Sequence, residues 1–180
     1  MHLTGVSLLL IFVVLTITVM LFLLYLTRAG VLIHEHLPER PRRRLFLASI
    51  SFFMTFGTVR LLVISIVYGF GPFQWVTMYG RHIHHLVWGI LILLVVGYGF
   101  LLEVGDGDTP LSIFASRLLS ILYGVGAALT LDEFAMWLNL QNDYWSRQGR
   151  ESIDAVILFG GLLAIGAWGA PLFSAFNRKK

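Results

Sequence analysis

The chain of 180 residues contains no cysteine. That absence removes disulfide scaffolds, thiolate metal sites and cysteine nucleophiles. Charge is also scarce: Asp, Glu, Lys and Arg make up 13% of the residues, against roughly 25% in a soluble domain. The chain is therefore short of the polar surface that a water-soluble globule needs. The sequence holds no internal repeat, no low-complexity tract and no sign of a second domain. A net charge of +3 does not point to nucleic acid, because most basic residues stand beside apolar runs, the usual topogenic pattern.

What the sequence does hold is hydrophobic residues, at 57%. They fall in apolar runs of about 20 residues, each long enough to cross a hydrocarbon core of about 30 Å. The runs are continuous rather than alternating, which excludes a β-barrel. The expectation is an all-α, polytopic transmembrane bundle in a single domain, 1–180. Its five spans fall at about 3–26, 45–70, 82–104, 111–140 and 152–176. The first run is too long for a signal-peptide core and lacks a small-residue cleavage site, so it reads as a retained helix. Gly30 reads as the stop after span one. Residues 33–44, with Pro38, Pro41 and four arginines, read as a loop; so does Gly105–Pro110. Trp75, Tyr79, Tyr144 and Trp145 read as headgroup anchors.

Lys and Arg placement sets the orientation. One side of the five-span arrangement collects nine: Arg28, Arg40, Arg42, Arg43, Arg44, Arg117, Arg178, Lys179 and Lys180. The other collects three, Arg81, Arg147 and Arg150. The N-terminus is thus expected outside and the C-terminus in the cytoplasm.

With that topology the ionisable groups sort by depth. Histidines 82, 84 and 85 occupy the outer end of span three. Asp132 lies about 30 Å of helix rise beyond Ser112, so Asp132 and Glu133 reach the same level. Asp154 falls in the first turn of span five. Arg60 lies about 22 Å along span two and can extend its long side chain outward. At 100° per residue, His82 and His85 share a face with Gly89, and His84 points elsewhere. Gly124, Ala128 and Asp132 align on span four, and such small residues allow close helix packing in lipid. Intramembrane charges cost at least about 2.5–3.5 kcal/mol each on insertion scales, so they need a partner or a wet cavity.

Two imidazoles with carboxylates from neighbouring helices suit a divalent ion, Zn²⁺ first. The candidate metal ligands are His82, His85 and Asp132, with Asp154 as the alternative to Asp132. The catalytic candidates are Glu133, as general base, and Arg60. The pattern His-x-His-His matches no zinc-protease motif. The bland alternative is that the outer histidines are solvated while Arg60 neutralises Asp132 structurally. His34-Glu35-His36 lies on the opposite side and reads as a solvated loop. Asp106 and Asp108 read as turn residues, and Asp154 can simply bridge to Arg150. A bis-histidine haem needs histidines on two helices at one level, and here the outer ones belong to one segment. Membrane desaturases are similar in their closely spaced histidines, but they gather several such boxes on one face.

Arg81-His82-Ile83-His84-His85-Leu86-Val87-Trp88-Gly89, together with Leu131-Asp132-Glu133-Phe134 and Ser152-Ile153-Asp154, resembles a group of small bacterial integral membrane proteins of uncharacterised function. The resemblance covers Arg81–Asp154. It implies a bacterial plasma (inner) membrane and joint action of these residues, and it implies no activity. The leading functional expectation is a divalent-metal-dependent enzyme at the outer leaflet acting on a lipid or lipid-linked substrate. The alternatives are a proton- or ion-coupled small transporter using Arg60, Asp132, Glu133 and His85 as a relay, or a non-catalytic partner subunit. The expected partners are membrane lipids, with a second copy or another membrane protein as the further class.

Overall fold

The computed structural model describes residues 5–26, 29–69, 77–78, 81–82, 84–139 and 150–168. Among these, the helices are α1 (Gly5–Leu26), α2 (Ala29–His36), α3 (Arg40–Val67), α4 (His85–Leu101), α5 (Pro110–Asp132), α6 (Phe134–Asn139) and α7 (Arg150–Trp168). Two short strands, β1 (Thr77–Met78) and β2 (Arg81–His82), pair antiparallel, with Thr77 opposite His82 and Met78 opposite Arg81. The fold is otherwise all-helical.

Helix α5 is the axis of the bundle. From Gly124 to Thr130 every residue is buried, because α5 has neighbours on several sides. On one side Ile121, Val125 and Leu129 pack with Met20 and Leu24 of α1 and with Leu47, Val59 and Val63 of α3. On another, Ala127 and Ala128 pack with Phe52 of α3 and with Val156 and Leu163 of α7. Towards α4 the backbones themselves come together. A Cβ added at Gly89 would lie 2.5 Å from Thr130 Oγ1 and 2.8 Å from the Gly126 carbonyl oxygen. Two buried hydroxyls of α5 bond within the helix itself, Thr130 to Gly126 O at 2.8 Å and Ser120 to Ser116 O at 2.7 Å. This back-bonding satisfies the group without a partner helix.

The helix boundaries follow local chemistry. Thr109 caps α5, its Oγ1 accepting from the Ser112 N–H at 3.2 Å, and Pro110 fills the first position, where no N–H is needed. The turn between α4 and α5 requires Gly105. Its φ is +90°, and a Cβ there would stand 2.6 Å from the Ser116 backbone nitrogen.

Several boundaries differ from the sequence expectation. Residues 33–44 are not a loop. Helix α2 runs to His36, and α3 starts at Arg40 and takes in the arginines, with Pro41 in its first turn where proline is tolerated. Gly30 does not stop a helix but lies inside α2, where a side chain would run into the Leu24 carbonyl. The helix expected from residue 82 begins at His85, because Arg81 and His82 are in β2. The helix expected over 111–140 is not continuous: α5 ends at Asp132, and a separate α6 follows Glu133. The aromatic anchors Trp75, Tyr79, Tyr144 and Trp145, and span five beyond Trp168, lie outside the described residues.

Two helices, α3 and α5, are long and apolar enough to cross a membrane. Shorter apolar stretches lie at Val14–Tyr25, His85–Leu101 and Ser152–Trp168. Large apolar side chains point outward from these helices, among them Leu61, Leu94, Val95, Leu158 and Leu162.

The packing singles out Gly124. A Cβ there would run into Ser51 Oγ and the Ala48 carbonyl of α3, whereas Gly97 has nothing within 4 Å. Gly124→Ala should therefore push α3 and α5 apart and destabilise the fold by about 1–3 kcal/mol. Gly97→Ala should be neutral. Thermal unfolding of the two purified variants makes the comparison, and equal melting temperatures would contradict this packing.

Candidate functional site

A helix that ends inside a bundle leaves carbonyls without intrahelical partners. Helix α5 ends in this way at Asp132, whose side chain is fully buried. Arg60 of α3 meets that end twice. Its Nε pairs with the Asp132 carboxylate, and its Nη2 donates to the Asp132 carbonyl oxygen at 3.2 Å. A cation at a helix C-terminus is also favoured by the helix dipole. Phe56, one turn earlier on α3, places its ring 5.2 Å from the Arg60 guanidinium carbon. The alignment of Gly124, Ala128 and Asp132 explains the meeting. The glycine lets α5 lie against α3, and the aspartate on the same face then comes within reach of Arg60.

Helix α4 begins next to this break. Its N-cap is His84, which makes no capping bond of its own. Glu133 supplies the cap from the other helix: its Oε2 accepts from the Leu86 N–H at 3.0 Å, and its Oε1 lies 3.0 Å from His84 Nδ1. A carboxylate at a helix N-terminus satisfies a free donor and suits the dipole. His85, in the first turn of α4, stands between the two carboxylates. Its Nε2 is 3.0 Å from Asp132 Oδ2, and its Nδ1 is 3.5 Å from Glu133 Oε1. Ser152 of α7 completes the break by accepting from the Ala135 N–H of α6 at 2.9 Å. The interruption is thus met by contacts from α3, from the start of α4 and from α7.

The result is an ordered row: His84, Glu133, His85, Asp132, Arg60. Glu133 and Asp132 are buried, at 5% and 0% side-chain exposure, while the two ends of the row are partly exposed, His84 at 29% and Arg60 at 19%. Glu133 raises the His84 pKa above the ordinary imidazole value, first through the hydrogen bond and then through its charge, while burial works against the shift.

The structure brings together Arg60, Asp132, Glu133 and His85 of the expected set. It does not bring Asp154, which is exposed on α7. Ser152 faces the break, and Asp154 lies two residues on, about 200° around the helix. His82 lies in β2, not on the His85 face of α4, and its side chain is outside the described residues. The shared helical face expected for His82 and His85 therefore does not exist. Sequence reasoning missed His84, Leu86 N–H and Ser152. The signal for His84 was present: it directly precedes the continuous apolar run, where an N-cap belongs. Among the described residues, no three His, Asp or Glu side chains are arranged to hold a metal ion.

Comparison with family profiles, with curated proteins and with solved structures returns no match. The site must be read from its own chemistry.

Two predictions follow from the contacts themselves. Arg60→Leu takes the guanidinium from the buried Asp132 carboxylate, and breaking a buried pair costs roughly 3–5 kcal/mol. Arg60→Leu combined with Asp132→Leu removes both charges and should recover part of the loss. A double-mutant cycle on detergent-solubilised protein should give a coupling above about 1 kcal/mol; strictly additive effects would contradict the pairing.

The second concerns pH. His84 has a folded-state pKa above its unfolded value. Its contribution is therefore complete below the unfolded value of about 6.5 and fades as pH rises through the folded one. The stability gap between wild type and His84→Gln should be widest below about pH 6.5 and narrow as pH rises above it. A gap independent of pH would mean that His84 serves only as a neutral hydrogen-bond partner.

Proposed function

We propose that this chain is a multi-pass protein of a bacterial plasma membrane, with five spans, its N-terminus outside and its C-terminus in the cytoplasm. We further propose that the row from His84 to Arg60 is the proton relay of a small proton- or ion-coupled carrier. The membrane part draws support from the two long apolar helices, the shorter apolar stretches and the outward-pointing apolar side chains. The relay rests on one observation above all: His85 presents both ring nitrogens to carboxylates, Asp132 on one side and Glu133 on the other.

Such a histidine can accept a proton at Nδ1 and release one from Nε2, returning to the neutral ring as the other tautomer. Protons enter at His84, the more exposed of the two ends, and pass to Glu133. The 3.5 Å step from Glu133 to His85 closes with a small side-chain rotation or through one water. On reaching Asp132 the proton neutralises the carboxylate that holds Arg60. The charge attraction between α3 and α5 is then lost, while the hydrogen bond from Arg60 to the Asp132 carbonyl survives. Proton arrival is in this way coupled to the contact between two long helices. Intramembrane rows of Asp, Glu and His are the usual material of proton paths in pumps and transporters.

A second reading is a divalent-metal enzyme acting on a lipid or lipid-linked substrate. It is favoured by the nearness of four ligand-type side chains, His84, His85, Asp132 and Glu133, although no three of them are arranged to hold a metal ion. Arg60 on the Asp132 carboxylate counts against it, because a guanidinium in that position repels a second cation.

Reconstitution into liposomes with a trapped pH-sensitive dye decides between them. Wild-type protein should carry protons under an imposed gradient, and His85→Gln should fall to the protein-free background. Stoichiometric zinc, manganese or iron in chelator-free protein, with no flux, would overturn the relay in favour of the enzyme. Neither flux nor metal would leave the row as a structural tie.

A further inference from the structure

The opposite ends of α3 and α5 carry a second concentration of charge. Sixteen residues separate Ser116 from Asp132 on α5, about 24 Å of rise, so this region is distinct from the histidine row. Here a cleft opens between the first turns of α3 and α5, with about 510 Å³ of atom-free space, part of it open to solvent. Four arginines, Arg40, Arg43, Arg44 and Arg117, are among the residues that line it, as is Asp108.

Two of the four are answered by carboxylates. Arg44 is fully engaged, bonding Ser116 Oγ at 2.8 Å, Gly105 O at 3.1 Å and Asp106 Oδ1 at 2.6 Å. Arg40 bridges Asp108 at 2.5 Å, but the Asp108 side chain is 96% exposed, and such a pair is worth little in water. The other two meet no carboxylate among the described residues. Arg43 donates from Nη1 to two carbonyls, Leu37 O at 3.1 Å and Pro38 O at 2.7 Å. Arg117 lies over the Tyr25 ring, its guanidinium carbon 5.0 Å from the centroid. Four cations against two carboxylates leave two positive charges in one cleft. The contacts that hold Arg43 and Arg117 fix their position without neutralising them. The N-termini of two long helices, α3 and α5, add partial positive charge at the same place.

We propose that this cleft is a binding site for an anionic phosphate group, received chiefly by Arg43 and Arg117 with Arg40 in support. Arginine suits this ligand because its planar fork presents paired donors to phosphate oxygens. The phosphate can come from an anionic lipid headgroup or from a free phosphate ion. The lipid source rests on the membrane reading above, under which this end faces the cytoplasmic leaflet with its anionic lipids. The anion site itself does not depend on that reading, nor on the relay.

The test uses the full chain, delipidated in neutral detergent. The probes are phosphatidylglycerol, phosphatidylcholine and inorganic phosphate, read by thermal shift and by native mass spectrometry. Phosphatidylglycerol should raise the melting temperature and remain bound. Phosphatidylcholine, whose phosphate is already paired with its own cation, should do neither. Arg43→Gln with Arg117→Gln should weaken phosphatidylglycerol binding at least tenfold, whereas Arg43→Lys with Arg117→Lys should retain most of it. Protection by millimolar inorganic phosphate, with displacement of the lipid, would identify the free ion as the source and keep the site. Equal phosphatidylglycerol and phosphate binding by wild type and the glutamine variant would overturn the proposal. So would a wild type that binds neither probe. Should the double glutamine variant not fold, Arg117→Gln alone is read in the same way, since it gives up the Tyr25 ring contact and no carboxylate partner among the described residues.

Discussion

The pair between Arg60 and Asp132 is the contact on which the rest of the arrangement depends. A helix end inside an apolar bundle is costly, because its carbonyls have lost water and gained nothing. Arg60 answers the last carbonyl of α5 and the carboxylate beside it with one side chain. Without that answer α5 would have reason to continue through residue 133, as the apolar pattern of the sequence suggests. Glu133 would then rotate away from α4, and the first turn of α4 would lose the carboxylate that caps it. The interruption, the start of α4 and the position of His85 are thus a single construction, with α7 contributing through Ser152.

This construction gives α5 two unlike ends. At one end acidic groups are buried, and they meet Arg60 of α3 and the histidines at the start of α4. At the other, basic groups stand in an open cleft and their carboxylate partners lie in the exposed turn before α5. The contrast has a simple origin. Burial demands one-to-one pairing, because an unpaired charge in low dielectric has no substitute for water. An exposed cleft tolerates an excess of one sign, and that excess is what makes it attractive to a mobile ion. The proposed relay and the proposed phosphate site follow from these two regimes of electrostatics along the same pair of helices.

Most of the scaffold was legible in the sequence, because hydrophobic runs and glycine spacing act through local geometry. The alignment of Gly124, Ala128 and Asp132 pointed to the α3 contact, and the depth of Arg60 pointed to Asp132. The failures came where a tertiary contact overrode local pattern. Nothing between Leu111 and Leu140 marks Glu133 as a helix break, since the groups that stabilise it belong to α3, α4 and α7. The helical phase of His82 presupposes a helix that does not yet exist at that residue, because Arg81 and His82 are in β2. The same boundary hides His84: on a helix starting at His82 it points away, but as the N-cap of α4 it meets Glu133. Asp106 and Asp108 read as turn residues, and they are, but their charges also serve Arg44 and Arg40 from 62 and 68 positions away. Such pairings are outside the reach of any local window.

The sequence separation of Arg60 and Asp132 also has a consequence for how the protein is made. Their contact spans 72 residues, and α3 and α4 are both synthesised before Asp132 leaves the ribosome. On the membrane reading, a guanidinium must therefore enter the bilayer before its counter-ion has been translated. During that interval only lipid phosphate, water or the insertion machinery can hold it. Late arrival of α5 then does more than add a helix: it closes an electrostatic vacancy left open by α3, and drives assembly in the order in which the chain emerges.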